Sequence, residues 1–168
     1  MPIVFLAPMA QHYGMSAARA AALVGAIGIA STGARVVFGL IADRIGVLFA
    51  YKAATSTMWL GFLVWLPSRS FGGLLAMAVV FGAGYGGIIA LMPALLGTYF
   101  GVENLGSASG TMQTSASVGS LLGPPLAGLL IGSTDRYGLT LVVAFIVCSL
   151  GTFGQLTLRQ REPVPRPA

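Results

Sequence analysis

Residues 20–41 read AAALVGAIGIASTGARVVFGLI, a run whose only charged residue is Arg35. An α-helix rises about 1.5 Å per residue, so about 20 apolar residues cross a hydrocarbon core of about 30 Å. The run therefore reads as a membrane-spanning helix. Four more runs of similar character follow, at residues 47–66, 71–96, 107–131 and 139–158. Short polar breaks separate them: Asp43-Arg44-Ile45-Gly46, Pro67-Ser68-Arg69-Ser70, Gly101-Val102-Glu103-Asn104 and the stretch from Ser133 to Gly138. Residues 1–10 are apolar but only half a span long, and read as the last turns of a helix that ends near Pro8 to Gly14. Five full spans and a stub are expected to be part of a longer protein.

Composition agrees with this reading. Of 168 residues, 56% are hydrophobic and 8% are charged, with a mean hydropathy of +0.88. A soluble domain carries roughly 25% charged residues. So few charges cannot cover a soluble globule, which excludes a soluble enzyme and a disordered chain. The nine Lys and Arg residues sit singly between apolar runs. A nucleic-acid binder would gather them on one face. Cys148 is the single cysteine, so no internal disulfide forms, and no Cys/His cluster has metal-ligand spacing. No metal and no cofactor are expected. His12 reads as a solvated loop residue. No charged n-region or cleavage site precedes the apolar sequence, so no signal peptide is expected.

The cations orient the chain. One side holds Arg44, Lys52, Arg159, Arg161 and Arg166, and the other holds Arg19, Arg69 and Arg136. Five against three puts the Asp43 break and the C-terminus in the cytoplasm. The expected organisation is a transmembrane domain over residues 1–158 and a disordered, basic, proline-rich cytoplasmic tail over residues 159–168.

Small residues recur four apart: Gly82 and Gly86, Gly106 and Gly110, Gly119 and Gly123, Gly128 and Gly132. Each pair shares a helix face and is expected to let a neighbouring helix approach. Pro124-Pro125 is expected to bend or break the fourth span.

Arg35 carries the most information. A guanidinium in hydrocarbon costs at least about 2.5–3.5 kcal/mol on insertion scales, so Arg35 is expected to face a polar cavity or a partner. Its i−4 and i+4 neighbours are Ser31 and Gly39, and the nearest acid, Asp43, is two turns away. Arg35 could pair with Asp43, snorkel to the interface, or supply a fixed positive charge to an anion. Its planar fork suits a carboxylate. Ser31 lies one turn away on the same face as a polar neighbour. Tyr85 stands among glycines in Phe81-Gly82-Ala83-Gly84-Tyr85-Gly86-Gly87 with a hydroxyl that needs a partner. Gly39 permits close approach, Gly46 permits a tight turn, and Asp43 can accept hydrogen bonds from helix N-terminal amides or from an arginine. With Arg44 they form a loop that could latch two conformations or simply turn the chain.

Taken together, these residues resemble the C-terminal half of a major facilitator superfamily transporter. Gly39-x-x-x-Asp43-Arg44-x-Gly46 resembles that family's cytoplasmic loop between helices 8 and 9. The family usually has basic residues directly after the last glycine; here Val47, Leu48 and Phe49 follow, and Lys52 is the first cation. Ala34 to Ala42 and Phe81 to Gly87 are similar to segments of helices 8 and 10 in the monocarboxylate transporter and oxalate/formate antiporter branch. Leu121-Leu122-Gly123-Pro124-Pro125-Leu126-Ala127-Gly128 resembles its helix 11 motif. That branch often carries an aspartate one turn before the arginine, where this chain has Ser31.

The resemblance implies an all-α membrane bundle in a plasma or inner membrane. It also implies secondary active transport of a small organic anion between this half and an N-terminal half, by symport or antiport. Arg35 would hold the carboxylate, Tyr85 would line the site and Ser31 would neighbour it. Gly39, Asp43, Arg44 and Gly46 would govern the switch. The alternatives are a transporter of the same superfamily for a non-anionic substrate such as a drug, a non-transporting accessory subunit, and a self-assembling half-transporter. No enzyme is expected, for want of an intramembrane carboxylate pair or an activated nucleophile.

Overall fold

The computed structural model describes residues 2–134 and 137–157, which form six helices in the order α1 (Pro2–His12), α2 (Ala17–Ile45), α3 (Val47–Trp65), α4 (Phe71–Phe100), α5 (Leu105–Thr134) and α6 (Tyr137–Leu156). Among the described residues there is no strand. Among the described residues, helices α2, α3 and α4 are long and apolar enough to cross a membrane, and Val142–Gln155 is a further apolar stretch within α6. Helix α5 has 30 residues. The expected tail and the Asp135-Arg136 turn lie outside the described residues.

The corners follow from local chemistry. At the end of α1, Gly14 takes φ +78°. Its N–H donates to the Gln11 carbonyl at 2.9 Å, and the Met15 N–H donates to the Ala10 carbonyl at 3.1 Å. This pair of bonds is the Schellman closure, which needs a residue tolerant of positive φ. Ser16 caps α2 by accepting from the Arg19 N–H, and Ser70 caps α4 by accepting from the Gly73 N–H. Each serine satisfies one of the amides that a helix start leaves unpaired.

Two sequence expectations change here. Asp43, Arg44 and Ile45 were expected to form a polar break, but α2 runs through all three. Polar side chains at a helix end project into water without disturbing the backbone ladder, and the Gly46 N–H still donates to the Ala42 carbonyl at 2.9 Å. Only Gly46 breaks the path, at φ +89° and ψ 149°, and α3 begins at the next residue. Pro124-Pro125 was expected to bend or break its span; it does not break it, since α5 continues across the pair, as α4 does across Pro93. In membrane helices, neighbouring groups can re-satisfy the carbonyls that proline frees.

Helix α4 is the centre of the bundle, packed between α2 and α3. At one end Leu6, Met9, Leu23, Trp65, Leu74 and Met77 form an apolar cluster. At the other, Phe38, Ala42, Leu48, Tyr51, Leu91 and Leu95 form a second. Helix α6 leans on α3, where Trp59 donates through Nε1 to Ser149 Oγ at 2.8 Å and its ring lies 5.7 Å from that of Phe145.

Glycines set the spacing. A Cβ on Gly82 would lie 2.6 Å from the Ile27 carbonyl oxygen, and one on Gly86 would lie 2.8 Å from the Ser31 Cα and overlap its carbonyl oxygen. Ile27 and Ser31 are also four apart, so the two backbones cross in register, as expected for this pair. The expectation fails for Gly106 and Gly110, where an added Cβ would meet nothing within 4 Å, and Gly119 is equally open. Among the described residues α5 is exposed along nearly its whole length, so no neighbour uses those glycines. The surroundings of Gly128 and Gly132 lie outside the described part. The apposition of α3 to α4 uses glycines outside any such pair: a Cβ on Gly84 would lie 2.6 Å from the Met58 Cα, and one on Gly61 would lie 2.9 Å from the Phe81 Cα.

Candidate functional site

The α2–α4 seam places the residues that the sequence singled out. Ile27, Ser31, Ala34, Phe38 and Ala42 are buried along α2, at the three- and four-residue spacing of one helix face. Ser31 is buried and its backbone rests on Gly86. Phe38 fills the space where α2, α3 and α4 meet: a Cβ on Gly87 would lie 2.6 Å from Phe38 Cδ2 and 2.8 Å from Ala54 Cβ.

Arg35 follows Ser31 by one turn and rotates just off the buried face, so it is exposed. It stands eleven residues before Gly46, which at about 1.5 Å per residue puts its Cα about 16 Å from that corner. Among the described residues no hydrogen bond or ion pair engages its guanidinium. The same flank is apolar: Val36, Val37 and Leu40 are exposed. A charge at this depth is costly unless water or a polar partner meets it.

Tyr85 directly precedes Gly86. It is 38% exposed and stacks on Phe81, with ring centroids 6.1 Å apart and planes 10° apart. Phe81 is itself held edge-on by Phe62 at 5.6 Å. This aromatic ladder fixes the Tyr85 ring while leaving part of it open. Arg35 and Tyr85 thus flank one seam, tied together through the Ser31–Gly86 apposition. Among the described residues no hydrogen bond or cation–π contact joins them directly.

The four residues of the expected switch loop divide. Gly39 is half-buried, and a Cβ there would meet nothing within 4 Å. It therefore marks open space rather than the close approach expected of it. Asp43 and Arg44 are exposed in the last turn of α2, and Gly46 is the joint itself. Lys52 lies in the second turn of α3, where its carbonyl accepts from Thr55 Oγ1 at 2.9 Å.

A cleft of about 590 Å³ opens between the end of α4 and the start of α5, lined by Leu95, Tyr99, Phe100, Asn104, Thr111 and Met112 among others. None of the residues proposed from sequence lines it. Among the described residues no group of three His, Cys, Asp or Glu side chains could hold a metal ion.

Sequence reasoning missed Phe38, Phe81, Gly84 and Gly87 as positioning residues. The signal for Phe38 was present in the spacing of Ile27, Ser31, Ala34 and Phe38. Gly84 and Gly87 were hidden inside a run, residues 81–87, in which four of seven residues are glycine.

A family model described as Major Facilitator Superfamily matches residues 1–168. An MFS-type transporter of Gibberella moniliformis is 35% identical over 153 residues, covering 90% of this chain and 36% of that protein. Human monocarboxylate transporter 11 is 30% identical over 172 residues, covering 97% of this chain and 36% of the relative. Chicken monocarboxylate transporter 4 is 29% identical over 174 residues, covering 97% and 37%. The chain thus spans little more than a third of the length of each of these relatives.

Proposed function

The chain belongs to the Major Facilitator Superfamily, and we propose that it forms one half of a secondary transporter for small organic anions of the monocarboxylate type. It is an integral, multi-pass membrane protein, and its family is one of transporters rather than enzymes. In this reading the substrate binds at mid-membrane between this bundle and an N-terminal half. The bundles rock about the bound substrate to expose it to either side.

The observation that carries the reading is the exposed guanidinium of Arg35, standing within a spanning helix with no partner among the described residues. A carboxylate takes two parallel hydrogen bonds from such a fork. Its negative charge also offsets the cost of holding the cation in an apolar surround. Tyr85 lines the same site, with Ser31 one turn from Arg35. Gly39, Asp43, Arg44 and Gly46 form the switch at the cytoplasmic end, the side on which the C-terminus also lies. The names of the two monocarboxylate transporters support the choice of anion.

The test is uptake of labelled lactate, pyruvate and oxalate by the full-length protein in proteoliposomes. Saturable uptake of at least one supports the reading. Transport of an uncharged or cationic drug with none of the three acids overturns it.

A further inference from the structure

The end of the bundle opposite Gly46 gathers cations on aromatic rings. Arg69, in the α3–α4 corner, donates from its guanidinium to the Tyr13 hydroxyl and lies 5.3 Å over the Tyr13 ring. Arg19, in the first turn of α2, lies 5.9 Å over the ring of Phe71, two residues after Arg69. The two guanidinium groups are therefore held at one corner, where α1 and α3 end and α2 and α4 begin. The described acids, Asp43 and Glu103, lie at the other end. One turn before Arg69, the indole N–H of Trp65 is buried, and among the described residues it has no hydrogen-bond partner.

We propose that this corner seats the phosphate of an anionic phospholipid. Each guanidinium is already ordered by its ring, so little side-chain freedom remains to be lost on binding. Arg69 uses one of its five N–H donors on Tyr13, which leaves a fork free for an oxyanion. Two capped helix starts add positive potential at the same place. The level selects lipid over solute. The apolar stretches of α2 and α4 begin here, so this is where hydrocarbon gives way to headgroups. Tyr13 stands at that boundary, where amphipathic aromatic rings are enriched.

The inference does not depend on the transported substrate. Its test is the thermal midpoint of the full-length protein in detergent. The additions are phosphatidylglycerol, phosphatidylcholine with the same acyl chains, and glycerol 3-phosphate. In the wild type, phosphatidylglycerol raises the midpoint by several degrees more than phosphatidylcholine, and glycerol 3-phosphate does not. The Arg19→Gln/Arg69→Gln variant keeps the phosphatidylcholine response and loses the increment. Survival of the increment in that variant overturns the proposal. So does an equal response of the wild type to the two lipids, a comparison that needs no variant to fold. A glycerol 3-phosphate response matching that of phosphatidylglycerol makes the corner a solute site and overturns the lipid assignment.

Discussion

The carbonyl group of Ser31 occupies the place where Gly86 would carry its Cβ, with the Ser31 Cα 2.8 Å from that point. Two helix backbones touch there with no side chain between them. In lipid, where apolar burial drives association only weakly, such contact is a main source of cohesion. The same contact fixes how closely α2, which carries Arg35, approaches α4, which carries Tyr85.

Gly86→Ala therefore separates α2 from α4. Overpacking of this kind costs about 1–3 kcal/mol. A denaturant or thermal midpoint in detergent should fall accordingly. Gly28→Ala, where an added Cβ meets nothing within 4 Å, should match the wild type or exceed it by up to about 1 kcal/mol, because alanine suits a helix interior better than glycine. Equal midpoints for the two variants would mean that the seam is not close-packed.

Gly46→Ala tests the α2–α3 joint. At φ +89° and ψ 149°, Gly46 holds a conformation that is essentially restricted to glycine. Strain of about 1–3 kcal/mol is expected on substitution. The expected outcome is a lower midpoint, with more protease cleavage at the α2–α3 corner than in the wild type.

Trp59 and Ser149 join α3 to α6 by one hydrogen bond between side chains. Such bonds within membrane bundles average about 0.6 kcal/mol in double-mutant cycles. A cycle of Trp59→Phe and Ser149→Ala should give a coupling of that order. A coupling near zero would leave α6 held by apolar packing, including the Phe145 and Phe153 ring contacts with Trp59.

Much of the fold was legible in the sequence, because lipid demands long apolar runs and the breaks between them are polar. Phe71 begins α4 and Gly101 to Asn104 separate α4 from α5, as the composition indicates. The end of α2 was not legible. Asp43 and Arg44 look like loop residues by polarity, whereas a helix stops where its backbone turns, at Gly46. The Gly82–Gly86 pair was legible because spacing by four selects one face. Gly106 and Gly110 share that spacing without a neighbour, since spacing shows that a face is flat and not what lies against it. For the candidate site, the cost of a charge at membrane depth singled out Arg35 from one residue. Phe81, which fixes the Tyr85 ring, was hidden among other apolar side chains.

The most direct measurement is uptake of labelled pyruvate by the full-length protein carrying Arg35→Lys, beside the wild type at matched membrane abundance. Lysine keeps the positive charge and removes the planar fork. The wild type is expected to take up pyruvate and the variant to lose that uptake. Uptake by the variant equal to that of the wild type would remove Arg35 from the substrate site.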